Sequence, residues 1–234
     1  MKFYESGDNR KPVIFLFPGT CCLYSSFDHV LDGLHSYFYT VAVSYDGFDP
    51  NEKTEFYSME DECEKIEQEI RTKYGGRIKA AYGCSLGGSF VSLLIQRKRI
   101  HIDHGIIGSS DMDEAGRLVA KIQSSMVVPF MYKMVHTGTL PKFMQKKLDK
   151  TDDGKKELYN GFLNMFGIGK GGSPWITKQS VYNQFYSDLV TKVQHGIDVP
   201  GTTIHVFYAT KMGEKYEKRY CTYFKNPDIR RHNM

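Results

Sequence analysis

The feature that most constrains this chain is the sequence Gly-Cys-Ser-Leu-Gly at residues 83–87, which lies between two apolar segments of different period. Residues 78–82 have the composition of a short buried strand, and residues 90–95 continue as an apolar helix. A Gly-x-Ser-x-Gly sequence at such a junction predicts a sharp strand-to-helix turn with a strained serine backbone and no room for side chains on either side. Ser85 is therefore expected to project from the top of a sheet into an open cleft.

The same turn predicts a place for developing negative charge. A helix that begins at Leu86 directs backbone N–H groups and the positive end of its dipole toward the serine side chain. Donors of this kind stabilise the oxyanion that forms when a serine attacks a carbonyl group. A bystander serine in a glycine-rich turn is the alternative interpretation, and the agreement between the motif and its flanking segments favours the nucleophile.

Strand-like and helix-like segments alternate over most of the chain. A charged helix is predicted over residues 58–74, with Ser58 and Asp61 at capping-box spacing and two glycines as its stop. The alternation predicts right-handed crossovers and a mostly parallel central sheet with flanking helices, an α/β fold. The predicted strands are residues 13–17, 39–45, 78–82, 103–108, 203–208 and 228–232.

The pattern changes between residues 113 and 188, where helix-like aromatic and methionine clusters replace the strands. We predict a helical cap at residues 113–196, inserted into a core formed by residues 1–112 and 197–234. Part of the cap is expected to line an apolar pocket over Ser85. The candidate lining residues are Met126, Phe130, Met131, Tyr132, Met134, Phe143, Met144, Phe162, Met165, Phe166, Trp175, Tyr182 and Phe185.

Composition limits the classes of function. The net charge of +4 over 234 residues is too small and too dispersed to indicate a nucleic-acid partner. Five cysteines without a regular spacing argue against structural disulfides, and neither a signal peptide nor a membrane-spanning stretch is visible. No metal-ligand pattern and no cofactor motif stands out. A cytoplasmic protein that acts on a small molecule is the expectation.

From about Pro12 to its end, the chain resembles the α/β-hydrolase fold, both in element order and in the sequence at residues 83–87. It is most similar to small, cap-bearing bacterial hydrolases of the esterase type. The resemblance implies a serine nucleophile, then an acid after a late strand, then a histidine after the last strand. It also implies an oxyanion hole made by the N–H groups of Leu86 and Thr20. Pro18 stands where many relatives carry histidine, and a backbone amide is all that this loop must supply.

The histidine and the acid have more than one interpretation. His232, at the end of the last predicted strand, is the last of the eight histidines in the chain, so it is the candidate base. Related sequences continue to a second histidine, so the chain is interpreted either as an enzyme that uses His232 on a short tail or as a truncated one that lacks its base. Glu214 is the candidate acid because it follows the strand ending near Tyr208, and Asp111 is the alternative.

These residues predict a serine hydrolase that cleaves a small carboxylic ester or thioester through an acyl-serine intermediate. Ser85, His232 and Glu214 are the expected catalytic residues, and Thr20 and Leu86 the expected oxyanion donors. The alternatives are a non-catalytic domain of the same fold that binds a small ligand or a partner, and a truncated hydrolase.

Overall fold

A seven-stranded sheet forms the centre of the part of the chain that the computed structural model describes, namely residues 1–140 and 171–233 with Lys142, Lys146 and Leu163. The strand order is β1-β3-β2-β4-β5-β6-β7. Only β1 runs antiparallel to its neighbour, β3, and every other neighbouring pair is parallel. The strands are β1 (Lys2–Ser6), β2 (Val13–Phe17), β3 (Tyr39–Ser44), β4 (Arg77–Cys84), β5 (His101–Gly108), β6 (Thr203–Ala209) and β7 (Asp228–His232).

The central strands are apolar on both faces because the sheet is covered on both. In β2, Phe15 and Phe17 enter the larger hydrophobic cluster, whereas Ile14 and Leu16 enter a smaller one on the opposite face. A continuous apolar run of this length is typical of a parallel strand buried on both sides. The mostly parallel sheet predicted from the alternation of elements is thus confirmed.

Six α-helices are described with the sheet. In α2, the Ser58 side chain accepts a hydrogen bond from the Asp61 N–H, and Gly75 ends the helix in the left-handed conformation (φ 63°). Both ends agree with the predicted cap and stop. The helices are α1 (Asp28–His35), α2 (Met59–Tyr74), α3 (Leu86–Arg97), α4 (Arg117–Thr137), α5 (Lys178–Val190) and α6 (Glu214–Tyr223).

The first strand is the element that the sequence analysis misses. Lys2–Ser6 mixes charged and aromatic residues at the sheet edge, and only part of each side chain is buried. Its pairing with β3 covers one edge of the sheet. A half-exposed edge strand lacks the apolar run that marks the central strands.

Strand order reverses at β2 and β4, and this reversal opens a crevice. From β2 the chain passes to β3 on one side, and from β4 it passes to β5 on the other. In open α/β sheets, the loops after two such strands diverge, and ligands bind between them at the carboxyl ends. The loop after β2 carries Thr20 and the loop after β4 carries Ser85, so the topology brings both predicted residues to this crevice.

The helices α4 and α5 lie between β5 and β6 in the chain and pack against each other. Two side chains of α5 attach it to the loop before α2: the Phe56 N–H donates to Ser180 Oγ (3.2 Å), and Asn183 Nδ2 donates to the Phe56 carbonyl (2.7 Å). The division into a core and a cap at residues 113–196 stays a prediction. Among the described residues, no helix combines the length and the apolar character that crossing a bilayer requires.

Candidate active site

Ser85 occupies a strained turn between β4 and α3. Its backbone has φ 52° and ψ −119°, a conformation that L-residues rarely adopt. Two hydrogen bonds fix the turn: the Ser85 N–H donates to the Gly108 carbonyl (2.9 Å), and the Gly88 N–H donates to the Ser85 carbonyl (2.8 Å). The helix starts at Leu86, and Ser85 is exposed to solvent. The strand–turn–helix geometry predicted around the motif is confirmed.

The two glycines of the motif are required by close packing. A Cβ atom on Gly83 would overlap the backbone of Gly87. A Cβ atom on Gly87 would overlap the carbonyl oxygen of Phe17, the last residue of β2. The missing side chains therefore let the start of α3 lie directly against the end of β2, which brings the loop after β2 beside Ser85.

The loop after β2 reaches the serine. A Cβ atom placed on Gly19 would lie 3.3 Å from the Cys84 carbonyl oxygen and 3.5 Å from Ser85 Cβ. Thr20, the next residue, lines the same cavity as Ser85. Leu86 is buried as the first residue of α3, where an N–H group has no intrahelical acceptor. The two predicted oxyanion donors thus belong to segments that flank the serine.

A hydrogen bond that the sequence does not reveal holds this loop. Cys21 has φ 60°, and its N–H donates to Oε1 of Gln184 on α5 (2.7 Å). Gln184 is fully buried. Since 163 positions separate the two residues, no local pattern could identify the pair. The glutamine positions the loop that carries Thr20.

Ser85 opens into a cavity of about 530 Å³ between the sheet and the helices α4 and α5. A volume of this size suits a small organic molecule. Met131 and Phe185, two of the predicted pocket residues, line it, whereas Phe143, Met144, Phe162, Met165 and Phe166 lie outside the described residues. The described lining consists of Gly19, Thr20, Cys22, Cys84, Ser85, Asp111, Asp113, Gln123, Ser124, Val127, Met131, Phe185, Asp188 and Leu189.

Two thiols share the cavity with Ser85. Burial raises the pKa of the Cys22 thiol well above its usual range and also raises the pKa of Cys84. A thiol with a raised pKa stays protonated near neutral pH and is a poor nucleophile. The exposed hydroxyl of Ser85 therefore remains the candidate nucleophile.

Of the two candidate acids, Asp111 lines the cavity and Glu214 does not. Asp111 lies in the loop after β5, and α6 holds this loop in place. Arg219 of α6 donates to the Asp111 carbonyl and pairs with Asp113, and Tyr220 donates to the Ser110 carbonyl. Glu214 is exposed at the first turn of α6.

His232 is not brought to Ser85. It is the last residue of β7 rather than a residue beyond that strand, it is exposed, and its ring contacts Phe207 edge-on (5.7 Å between centroids). β7 is three strands away from β4, which corresponds to about 14 Å at ordinary strand spacing. All eight histidines are among the described residues, and none lines the described part of the cavity. His232 as the base stays a prediction.

Asp188 is a cavity residue that the sequence analysis does not identify. It lies on α5, and burial of its carboxyl group raises its pKa to about 7. A hydrogen bond from Ser89 opposes the shift, and the charges of Asp111 and Asp113 add to it. Within the described residues, no group of three or more His, Cys, Asp or Glu side chains forms a metal site.

Solved structures similar to this chain belong to one fold. A protein assigned to the alpha/beta hydrolase family from Desulfitobacterium hafniense matches with a TM-score of 0.73 and 14% identity, over 98% of this chain and 90% of the other. A hydrolase from Pseudomonas aeruginosa PA01 matches with a TM-score of 0.71 and 12% identity, over 99% and 85%. The enol-lactonase from Burkholderia xenovorans LB400 matches with a TM-score of 0.66 and 13% identity, over 99% and 87%.

These likenesses, together with the sheet order and the turn at Ser85, show that the chain has the α/β-hydrolase fold. No protein-family model and no curated protein matches the sequence. The predicted fold class is confirmed.

Replacing Gly87 with alanine tests the close packing at the turn. We expect Gly87→Ala to lower the free energy of unfolding by at least about 3 kcal/mol, because the new Cβ atom meets the rigid backbone of β2. Gly33→Ala is the matched control, since Gly33 lies in α1 with open space around it and should become slightly more stable. Urea unfolding measures both, and equal stabilities would contradict the described packing.

Asp188→Asn should change how stability depends on pH. Because the pKa of Asp188 is raised, the folded chain keeps this proton between about pH 4 and 7, where an unfolded chain has lost it. Asp188 therefore destabilises the wild type as pH rises through this window, by up to about 4 kcal/mol. We expect the asparagine variant to gain stability over wild type between about pH 4.5 and 8 in urea unfolding.

The surface variant Asp198→Asn is the control for this measurement, because Asp198 pairs with Lys225 where both side chains are more than half exposed. Its stability should stay close to that of the wild type, because an exposed ion pair contributes little. A difference between Asp188→Asn and the wild type that does not grow between about pH 4.5 and 8 would show that the carboxyl group of Asp188 is solvated.

Proposed function

We propose that this chain is a serine hydrolase that cleaves a small carboxylic ester or thioester. The observation that carries the proposal is the exposed Ser85 in a strained turn, at the start of a helix and in a cavity of suitable size. Fold alone does not define an activity. The names of two similar structures, an enol-lactonase and a marine microorganism esterase, agree with hydrolysis of carboxylic esters.

In the proposed reaction, Ser85 Oγ attacks the substrate carbonyl, and its proton passes to a general base that later gives it to the leaving group. The carbonyl oxygen becomes an oxyanion, which the N–H groups of Thr20 and Leu86 stabilise together with the positive end of α3. The tetrahedral intermediate collapses, the bond to the alcohol or thiol breaks, and that group leaves with a proton. Water then attacks the acyl-serine, releases the carboxylic acid and restores the hydroxyl.

The acid and the base have unequal support. Asp111 is the better candidate acid, because it lies in the cavity and its loop is held by α6. Glu214 and His232 lie outside the described lining, so their roles require a rearrangement that brings them to Ser85. The nucleophile and the oxyanion donors are therefore the supported part of the proposed machinery.

A second candidate function is a non-catalytic domain that binds a small molecule in the same cavity. The specific observation in its favour is that no histidine lies in the described lining. A serine without a base retains only the catalysis that the oxyanion hole and substrate binding provide, several orders of magnitude below the complete triad.

Labelling with a fluorophosphonate probe separates the two functions. We expect the intact chain to be labelled at one site and Ser85→Ala to remain unlabelled, because the probe reacts with a serine that has oxyanion donors beside it. Ser125→Ala, a change on the exposed side of α4, should be labelled as wild type is. A folded wild type that takes no label would support the binding domain or a hydrolase that lacks its base.

The role of His232 can be tested with the same probe. We expect His232→Ala to be labelled at about the wild-type rate, within roughly twofold, because the imidazole lies outside the cavity and three strands from Ser85. His29→Ala, in the exposed face of α1, is the matched control. A decrease of about a hundredfold or more in His232→Ala alone would identify His232 as the base after all.

A further inference from the structure

Three acidic residues line the cavity that contains Ser85. Asp111 and Asp113 come from the loop after β5, and Asp188 comes from α5. The described lining contains no lysine, arginine or histidine. A molecule that enters this cavity therefore meets acidic side chains and meets no cationic side chain among the described residues.

The three carboxylates are not equally neutralised. Asp113 forms an ion pair with Arg219. Arg219 also donates to Asp111, but to its main-chain carbonyl and not to its carboxylate. Among the described residues, neither Asp111 nor Asp188 has a cationic partner. Two carboxylates thus face the cavity without a counter-charge.

Asp188 has the stronger need for a cation. Its side chain is only partly exposed, and its carboxyl group receives a hydrogen bond from the Ser89 hydroxyl. A buried carboxylate without a counter-charge is unfavourable, and the cost is relieved either by a proton or by a cation that binds next to it. The raised pKa of Asp188 expresses the same imbalance.

An independent observation on the facing helix points to a ligand. Ser124 of α4 is fully buried (0% exposed) and lines the cavity, and its hydroxyl has no hydrogen-bond partner in the described structure. Buried polar groups are nearly always paired, so an orphaned hydroxyl at a cavity wall calls for a partner supplied from the cavity. A serine oxygen accepts hydrogen bonds from N–H donors.

Four apolar side chains also line the cavity. Val127 and Met131 of α4 face the cavity together with Phe185 and Leu189 of α5. Such a surface suits a short hydrocarbon segment. A substrate that matches the whole cavity has a carbonyl group at Ser85, an apolar segment and a cationic hydrogen-bond donor near the acidic residues of the lining.

We propose that the cavity binds a substrate that carries a primary ammonium group, with Asp188 as its ion-pair partner and the Ser124 hydroxyl as an additional acceptor. This inference names the substrate class of the proposed hydrolase, so the bound molecule is a substrate only if the proposed function holds. The binding itself needs only the cavity. An ammonium group has three N–H donors, so it satisfies a carboxylate and a hydroxyl together.

Binding of simple probes tests the proposal without turnover. The probes are hexylammonium, 1-hexanol and hexanoate, titrated by calorimetry into the intact chain at about pH 8, where Asp188 is mostly ionised. We expect hexylammonium to bind about ten- to a hundredfold more tightly than 1-hexanol, and hexanoate to bind most weakly. Equal affinity for hexylammonium and 1-hexanol would overturn the proposal.

Variants assign the preference to residues. Asp188→Asn should reduce the advantage of hexylammonium over 1-hexanol to less than about threefold, and Ser124→Ala should reduce it severalfold. Asp198→Asn, the same chemical change on the surface, should keep the wild-type ratio. An unchanged ratio in Asp188→Asn overturns the proposal. If that variant fails to fold, the proposal is still tested by the relative affinities of the probes for the wild type and for Ser124→Ala.

The outcome can be separated from that of the proposed function. Ammonium binding in a chain that fluorophosphonate does not label would support the site and reject the hydrolase. Labelling of Ser85 without a preference for ammonium would support the hydrolase and reject the site. Where both hold, an ester with a terminal ammonium group should have a higher kcat/KM than its neutral isostere by about the same factor, and Asp188→Asn should lower that ratio.

Discussion

The contact between the start of α3 and the end of β2 is the constraint on which the rest of the site depends. It is possible only because Gly83 and Gly87 have no side chains, so that the helix backbone lies against the Phe17 carbonyl. The contact fixes Ser85 in its strained conformation and places the Gly19–Thr20 segment next to it. A small movement of α3 away from β2 would separate the nucleophile from one oxyanion donor, and catalysis is sensitive to displacements of this size.

The aromatic core under the turn stabilises this contact. Phe90 of α3 stacks on Phe17 of β2 (6.3 Å between centroids) and on Tyr45 after β3 (4.7 Å). The Tyr45 hydroxyl in turn donates to the Pro18 carbonyl (3.2 Å), at the start of the loop after β2 that carries Thr20. Aromatic contacts and burial therefore hold helix, strand and loop together, which offsets the strain stored at Ser85.

Groups of opposite polarity meet in the proposed site. In the proposed function, the N–H groups of Thr20 and Leu86 and the positive end of α3 stabilise the charge that develops on a carbonyl oxygen. Asp111 and Asp188 line the same cavity, and Asp188 accepts a hydrogen bond from Ser89 in the first turn of α3. A molecule with a carbonyl group and a cationic group would therefore find a partner for each. The ion pair of Asp113 with Arg219 limits the repulsion among the three carboxylates, and neither Asp111 nor Asp188 has such a partner among the described residues.

How much of this could be predicted from the sequence depends on the range of the interactions. The turn at Ser85, the cap of α2 at Ser58 and the central strands follow from patterns within a few residues, and they are confirmed. Gln184 and Asp188 act through contacts with segments far away in the chain, so their roles follow only from the packing of α5 on the sheet. β1 could not be predicted in this way, because a half-exposed edge strand has no apolar run. The base is the hardest to predict, because a histidine acts on Ser85 only if a loop carries it past the ends of β5 and β6, and neither spacing nor chain order specifies that path. The loop at Ser109–Met112, which Tyr220 and Arg219 hold, follows β5 directly and brings Asp111 to the cavity. In the proposed function, a base that reaches Ser85 would also have to come within reach of Asp111 for that carboxylate to orient it.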